Sequence, residues 1–124
     1  MGLDMYAFAA PKTAITSEVN FKLKDMPDIQ ELHYWRKHPN LHGWMRDRYI
    51  AKGGTAEFNC EPVVLTAHDL DELERAIRNH ELPSTGGFFF GESDGSELAD
   101  DLKFVSAART AIAEGKAVIY DSWW

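Results

Sequence analysis

The residues best suited to chemistry are concentrated in one segment, residues 31–44. This segment holds three of the five histidines, two of the four tryptophans and the Arg36–Lys37 pair, arranged around one proline. Imidazole, indole and guanidinium groups bind ligands through charge, hydrogen bonds and stacking. The segment is therefore the first candidate for a functional surface.

The candidate metal ligands are His33, His38, His42 and Cys60. Two histidines share one face of a helix at a spacing of three or four, which only His38 and His42 have. Pro39 disfavours the helical conformation at His38, because its ring clashes with the preceding residue. The chain has no second cysteine and no HExxH pattern. We therefore predict neither a bound metal nor another cofactor.

Cys60 is also a candidate nucleophile, because the chain has histidines that could activate it. A reactive thiolate needs a nearby base or cation to lower its pKa. His33 or His42 would supply that base if the fold brought them close to Cys60. The alternative is an inert thiol, since free cysteine usually behaves as a small buried hydrophobic residue. A single cysteine also excludes an internal disulfide and indicates a reducing compartment such as the cytoplasm.

Two aspartates, Asp4 and Asp121, interrupt otherwise apolar strand patterns. If their strands are neighbours, the two carboxylates meet at one patch, and a buried carboxylate needs a partner, for which we predict Arg36. Asp100 and Asp101 are different, because adjacent helical residues point about 100° apart and cannot share a site. We expect these two to stabilise the positive end of a helix.

Aromatic residues give two readings of the same positions. Tryptophan and tyrosine beside arginine are typical of binding hot spots, but they also anchor cores. Under the first reading, the residues that bind a ligand or partner are Asp4, Tyr6, His33, Trp35, Arg36, His42, Trp44, Asp121 and Trp124. Under the second, the aromatic side chains are simply interior.

The glycine-rich segment, residues 84–91, carries no nucleotide-binding signature. No Gly-Lys-Ser/Thr follows it, and the spaced glycines of a dinucleotide fold are missing. We interpret it as a turn that leads into a short apolar strand over residues 88–90.

Apolar periodicity predicts an α+β protein with a single domain over residues 1–124. We expect one mixed, mostly antiparallel sheet of about five strands, packed against three to four helices. The predicted strands are residues 3–9, 18–24, 61–66, 88–90 and 117–124. The predicted helices are residues 28–38, 39–52, 67–79 and 96–114, with Pro39 breaking the first two apart.

Two helices carry more detailed expectations. Thr66 is predicted to cap the third helix together with Asp69, three residues further on. Its buried stripe should be Leu70, Leu73 and Ile77, and that of the last helix Leu98, Leu102, Val105, Ala108 and Ile112.

Composition limits the class of partner. The net charge is −7, and it is uneven: residues 1–55 carry eight basic and six acidic residues, whereas residues 56–124 carry five and fourteen. Duplex nucleic acid requires a basic footprint, so we do not expect it as a partner. No apolar run approaches the ~20 residues of a membrane span, and the N-terminus lacks the pattern of a signal peptide. These features predict a cytoplasmic protein with no membrane contact.

Several motifs in this order resemble those of one protein family. They are the start MGLDMY, the segment Tyr34-Trp35-Arg36-Lys37 with His42 and Trp44, the Asn59-Cys60 pair, Leu82-Pro83 leading to GFFFG at residues 87–91, and the end over residues 120–124. They resemble a family of small proteins encoded by tailed bacteriophages, prophages and some bacteria. The resemblance covers nearly the whole chain and implies a cytoplasmic protein of an infected or lysogenic cell. It implies no particular activity.

Three functions are compatible with these observations. The leading hypothesis is a non-enzymatic accessory protein that binds a host protein or a small ligand through a Trp/Arg/His surface. The alternative is a small enzyme or ligand-sequestering protein with a pocket lined by Arg36, His42, Asp4 and Cys60. A purely structural or oligomer-forming domain is the third. A deep pocket with a perturbed titratable group favours the second, and an exposed aromatic patch favours the first.

Overall fold

Four strands and three helices make up the regular structure of the computed structural model, which describes residues 2–26, 28–86 and 90–124. In chain order they are β1 (Asp4–Pro11), β2 (Gln30–Arg36), α1 (Pro39–Ala51), β3 (Val63–Leu65), α2 (Ala67–Arg78), α3 (Leu98–Ala113) and β4 (Lys116–Trp123). Two short 3-10 helices, Lys12–Ala14 and Leu23–Asp25, lie between β1 and β2. The chain is thus an α+β protein, as the periodicity predicts.

The four strands form one antiparallel sheet in the order β2-β1-β4-β3. The first and last strands of the chain are the central pair, with Asp4 opposite Trp123 and Tyr6 opposite Asp121. Among the strands that the structure describes, no parallel pair occurs. The expected five-stranded mixed sheet is therefore a four-stranded antiparallel one.

The helices pack on one side of the sheet. α3 lies against β2 and β4, α2 packs on α3, and α1 and α2 reach β3. Side chains alternate across each strand, so β1 turns Met5 and Ala7 into this interface. The main core fills it, and includes Trp35, Phe104 and Tyr120. The helices leave the other side of the sheet free. The side chains on that side are polar and aromatic at one end.

Local sequence signals set most helix ends. Pro39 occupies the first turn of α1, and His38 before it is non-helical, as predicted. Thr66 caps α2, because its hydroxyl accepts from the Asp69 amide while the Asp69 side chain accepts from the Thr66 amide. Such a cap typically contributes about 1 kcal/mol. Leu70, Leu73 and Ile77 are buried, which confirms the predicted stripe of α2.

The predicted helix over residues 28–38 is wrong, since residues 30–36 form β2. The segment has an alternating pattern beside its helical one: Trp35 and His33 pair with residues of β1 that face the helices, and Tyr34 faces the other way. Pairing with residues 4–9 of β1 supplies ladder hydrogen bonds and cross-strand contacts that a short surface helix lacks. Tertiary pairing therefore overrides a weak helical period.

The predicted strand over residues 18–24 is also wrong. Asn20 has a positive φ of 61°, and residues 23–25 form a 3-10 helix, so the chain cannot continue a ladder here. Its apolar residues are nevertheless used. A second, smaller cluster on the outer side of the sheet contains Ala10, Val64 and Ile119, covered by Ile15, Phe21, Leu23 and Met26.

The predicted buried stripe of α3 is only partly right. Val105 and Ala108 are buried, but Leu98 is exposed, while Phe104 and Asp101 point into the core. The helix is rotated so that Asp101 reaches polar partners on β2 and beside α1. Of the predicted strand over residues 88–90, residues 88 and 89 lie outside the described residues. Phe90 is buried and lies outside the strands.

Within the described parts of the chain, no helix combines the length and the apolar character that crossing a bilayer requires.

Candidate functional site

The side of the sheet opposite the helices presents an uncovered surface at one end. We call it the open face, and define it by the outward residues Asp4, Tyr6, Phe8, Tyr34, Arg36, Asp121 and Trp123. Trp123 is 66% exposed and Tyr34 is 44% exposed, which is unusual for large aromatic side chains. At the other end, the smaller apolar cluster covers the sheet. The open face is therefore a bounded patch.

Asp4 is held by two residues of the neighbouring strand. The hydroxyl of Tyr34 donates to Asp4 Oδ1 at 2.7 Å, and Arg36 Nη1 donates to the same oxygen at 3.1 Å. The bond to Asp4 is the main cause of a raised pKa for the Tyr34 hydroxyl. This is the Arg36 partner expected from the sequence, and it leaves the Asp4 charge largely satisfied.

Asp121 is on the same face of the sheet as Asp4. It lies opposite Tyr6, and the Tyr6 and Asp4 side chains point the same way because they are two residues apart on β1. Burial raises the pKa of its carboxyl group to about 6. Its Oδ1 accepts a hydrogen bond of 2.9 Å from the Ser122 amide. Within the described ranges, neither Asp121 nor Glu31 forms a salt bridge, so these two carboxylates differ from Asp4.

A groove of about 280 Å³, lined by both Asp121 and Glu31, crosses the open face. Its lining is aromatic, acidic and thiol-bearing, and consists of Tyr6, Phe8, Glu31, Cys60, Asp121, Ser122 and Trp123. The Tyr6 and Phe8 rings stack with centroids 6.0 Å apart, and Tyr6 also contacts Tyr34 at 5.2 Å. The groove thus combines aromatic side chains with carboxylates that carry no ion pair in the part of the chain that the structure describes.

The environment of Cys60 is opposite to that of an activated nucleophile. Burial and the nearby Asp121 carboxylate raise the pKa of the thiol, and Lys22 offsets this only in part. The thiol lies in the groove beside Asp121, and its hydrogen-bond partner is the Asn59 side chain at 3.7 Å. The fold therefore does not provide the histidine activation that was one of the two possibilities for Cys60.

His42 and Arg36 lie on opposite sides of the sheet, so a single pocket lined by both of them and Asp4 does not exist. His42 is 2% exposed, and its Nδ1 is 2.7 Å from the hydroxyl of the buried Tyr120. Burial, with a contribution from Arg46, lowers the pKa of His42 to about 4. A neutral imidazole at this position accepts a hydrogen bond from the Tyr120 hydroxyl without introducing a buried charge.

A second cavity, of about 360 Å³, opens beside His42. Its lining is mostly apolar and aromatic: His42, Arg46, Tyr49, Ile50, Ala56, Glu57, Phe58, Gly86, Phe90 and Trp124. Trp124 is fixed there by its indole N–H, which donates to the Phe58 carbonyl at 2.8 Å. Trp44 lies apart from this cavity, buried beneath the guanidinium of Arg48 at 4.7 Å.

His33 and Trp35 face α3 rather than solvent. His33 Nε2 is 2.9 Å from Asp100 Oδ2, and Trp35 Nε1 donates to Asp101 Oδ1 at 3.1 Å. The two adjacent aspartates therefore have separate partners, consistent with their angular separation on the helix. Asp101 additionally contacts His38, with Oδ2 and Nε2 2.8 Å apart.

Sequence reasoning missed several residues at these sites. It treated His38 only as a metal ligand and Asp101 only as a helix-end charge, and it passed over Ser93, Phe8, Glu31 and Tyr34. Period-two alternation in residues 30–36 would have placed Tyr34 beside Asp4. No signal in the sequence links Ser93 to His38, because 55 positions separate them.

Candidate metal ligands do not converge in this structure. Among residues 2–26, 28–86 and 90–124, no group of three or more His, Cys, Asp or Glu side chains has the arrangement to hold a metal ion. No family model, curated protein or solved structure matches the chain. The function of the chain must therefore be inferred from the geometry of its own residues.

Proposed function

We propose that the protein is a small accessory protein of the phage type that binds a host protein through its open face. The partner segment that fits this surface is an extended peptide bearing lysine or arginine. A cytoplasmic site of action, as the resemblance and the single cysteine imply, is part of the same proposal.

The observation that carries the proposal is the pairing, in one groove, of the exposed Trp123 ring and the half-buried Tyr6 ring with carboxylates that form no salt bridge among the described residues. Trp123 and Tyr6 offer π faces, and a cation above such a face gains about 0.5–2 kcal/mol. Asp121 and Glu31 supply the opposite charge. Asp4 and Arg36 form a salt bridge on the same face, so their charges largely cancel and leave Asp121 and Glu31 to set the charge of the groove.

Charge complementarity also explains the kind of partner that is excluded. The carboxylates in the groove repel phosphate, so neither RNA nor DNA fits the open face despite its aromatic rings. An apolar peptide would leave the carboxylates desolvated and unpaired, which is costly. A cationic peptide satisfies both the rings and the charges.

Peptide titration followed by tryptophan fluorescence tests the proposal directly. A lysine- and arginine-containing peptide should bind and perturb the emission, whereas the same peptide with glutamate at those positions should not. Trp123→Ala should weaken binding on the order of 30-fold, the effect of losing a hot-spot residue. Equal binding of both peptides would contradict the proposal.

Ile50→Ala provides the matched control. Ile50 is also exposed and apolar, at 58%, but it lies on α1 on the helix side of the sheet. Its removal should leave peptide affinity unchanged. If both substitutions weakened binding equally, the peptide would be making nonspecific apolar contacts.

The cavity beside His42 supports a second candidate function, the sequestering of a small aromatic ligand. Its volume, its aromatic walls and a histidine whose pKa is strongly lowered are typical of a ligand pocket. Arg46 is exposed among its lining residues and would favour an anionic group on the ligand.

Anilinonaphthalene sulfonate, an anionic aromatic dye, is a suitable probe for this cavity. We expect its fluorescence to rise on binding and the Arg46→Ala variant to bind it several-fold more weakly. The nearby Asp47→Ala variant is the control for removal of an exposed charge on α1. Dye binding that is absent, or indifferent to Arg46, would rule out this second function.

A further inference from the structure

Ser93, His38 and Asp101 are joined by two consecutive short contacts. Ser93 Oγ lies 2.6 Å from His38 Nδ1, and His38 Nε2 lies 2.8 Å from Asp101 Oδ2. A hydroxyl, an imidazole and a carboxylate in this order are the components of nucleophilic serine catalysis. None of the residues belongs to the open face or to the cavity beside His42.

The surrounding hydrogen bonds determine which way the protons point. The Asp101 carboxylate accepts only, so His38 carries its proton on Nε2 and leaves Nδ1 as an acceptor. The Asn40 amide donates to Ser93 Oγ at 3.1 Å. The hydroxyl hydrogen of Ser93 is thereby directed at His38 Nδ1, which is the orientation required for general-base activation.

Asp101 is a positioning residue, because it touches His38 and Trp35 but no reacting atom. Its second oxygen accepts from the Trp35 indole at 3.1 Å, which fixes the carboxylate plane. His38 and Asp101 are 3% and 2% exposed, so this pair is shielded from water. Low local dielectric strengthens the hold of the carboxylate on the imidazole.

Ser93 and His38 line a cavity of about 170 Å³, whose wall has an apolar part, formed by Ile77, Leu82 and Leu98, and a polar part that includes His80 and Glu97. The size and the apolar leucines suit a short acyl chain. α1 begins at Pro39 beside this cavity, and the helix dipole places a partial positive charge at that end.

We propose that Ser93, His38 and Asp101 form a serine acyl-transfer site for short-chain esters. Ser93 Oγ bonds to the ester carbonyl carbon while its proton moves to His38 Nδ1. The bond to the alcohol oxygen then breaks, and the alcohol leaves with that proton. Water attacks the acyl-serine, gives a proton to Nδ1 and releases the carboxylic acid, and the returning proton restores the Ser93 hydroxyl.

The competing explanation is structural. Ser93 Oγ would then serve only to satisfy the Asn40 amide at the start of α1, and His38 with Asp101 would be a buried polar pair. Both explanations predict the same contacts, so stability measurements alone do not separate them. Reactivity at Ser93 does.

p-Nitrophenyl acetate and a fluorophosphonate reagent test reactivity on the intact chain. We expect a burst of nitrophenol and, by mass spectrometry, a covalent adduct on Ser93. His38→Gln should slow both reactions by on the order of 100-fold, the usual contribution of a general base. Ser96→Ala, in the same loop but bonded to Asp94, should leave them unchanged.

A thiol at position 93 gives a second test that does not depend on the ester assay. In a Cys60→Ser background, Ser93→Cys should be alkylated by iodoacetamide at least ten-fold faster at neutral pH than Ser96→Cys, because His38 promotes thiolate formation. Asp101→Asn should shift the pH dependence of that alkylation. Absence of an adduct on Ser93 together with equal alkylation of the two thiols would overturn the proposal and leave Ser93 as a helix cap.

Discussion

The indole nitrogen of Trp35 donates a 3.1 Å hydrogen bond to Oδ1 of Asp101, which joins the edge strand β2 to the first turn of α3. Both side chains are buried, and the other carboxylate oxygen contacts His38 before α1. Three segments that are far apart in the chain therefore meet at one carboxylate. Removing the Asp101 carboxylate is the sharpest test of the fold.

Asp101→Ala should lower the free energy of unfolding by roughly 3 kcal/mol, because it leaves a buried indole N–H and a buried imidazole without their acceptor. Asp100→Ala is the matched control. Asp100 is half-exposed and paired with His33, so its loss should cost less than about 1 kcal/mol. Urea unfolding followed by tryptophan fluorescence measures both, and similar losses would refute a special role for Asp101.

His42 should make the fold sensitive to acid. Its pKa is lowered from 6.5 to about 4 in the folded state, so folding favours the neutral imidazole. The resulting stability is present above pH ~6.5 and is lost as the pH falls through about 4, with a limit of roughly 3 kcal/mol. Unfolding free energies of the native protein and of His42→Asn, compared across this range, should converge at low pH. Parallel curves would show that His42 does not titrate as inferred.

Asp121 should have the opposite dependence on pH. Its folded pKa of about 6 is above that of a free aspartate, so the neutral acid is favoured by folding. This stability is complete below pH ~4 and is lost as the pH rises through about 6. Asp121→Asn should therefore stabilise the protein by about 1–2 kcal/mol near pH 8 and hardly at all near pH 4. A stabilisation that is equal at both values would point to packing rather than charge.

Cys60 should react slowly despite its exposure. Partial burial of the sulfur and the Asp121 carboxylate both raise the pKa of the thiol, so little thiolate exists at neutral pH. Iodoacetamide should modify it more slowly than it modifies glutathione, and Asp121→Asn should accelerate the reaction a few-fold. Fast labelling of the native protein would reinstate Cys60 as a nucleophile.

Much of the fold follows from local sequence. Pro39 begins α1, the Thr66 and Asp69 pair caps α2, and the apolar stripe of α2 is buried as its period indicates. These features are set within a few residues by sterics and by backbone hydrogen bonding, so a local pattern is enough to find them. The first and last strands are equally clear from their alternation.

The errors occurred where distant partners decide the structure. Residues 30–36 have both a helical and an alternating pattern, and only pairing with β1 selects the strand. The orientation of α3 depends on where Asp101 finds polar partners, which its own apolar pattern does not reveal. For the candidate sites, the pairing of Asp4 with Arg36 could be anticipated, whereas the separation of Arg36 from His42 could not.

The sequence alone determined the class of fold, most element boundaries and the set of residues rich in chemistry, because these depend on period, sterics and charge within short windows. The tertiary structure decided which of those residues meet. It placed Asp4, Asp121 and the exposed Trp123 and Tyr34 rings on one side of the sheet, and His33, His38 and His42 on the other. Side-chain direction alternates along a strand, so the choice of strand over helix at residues 30–36 fixes which groups reach water and which are buried.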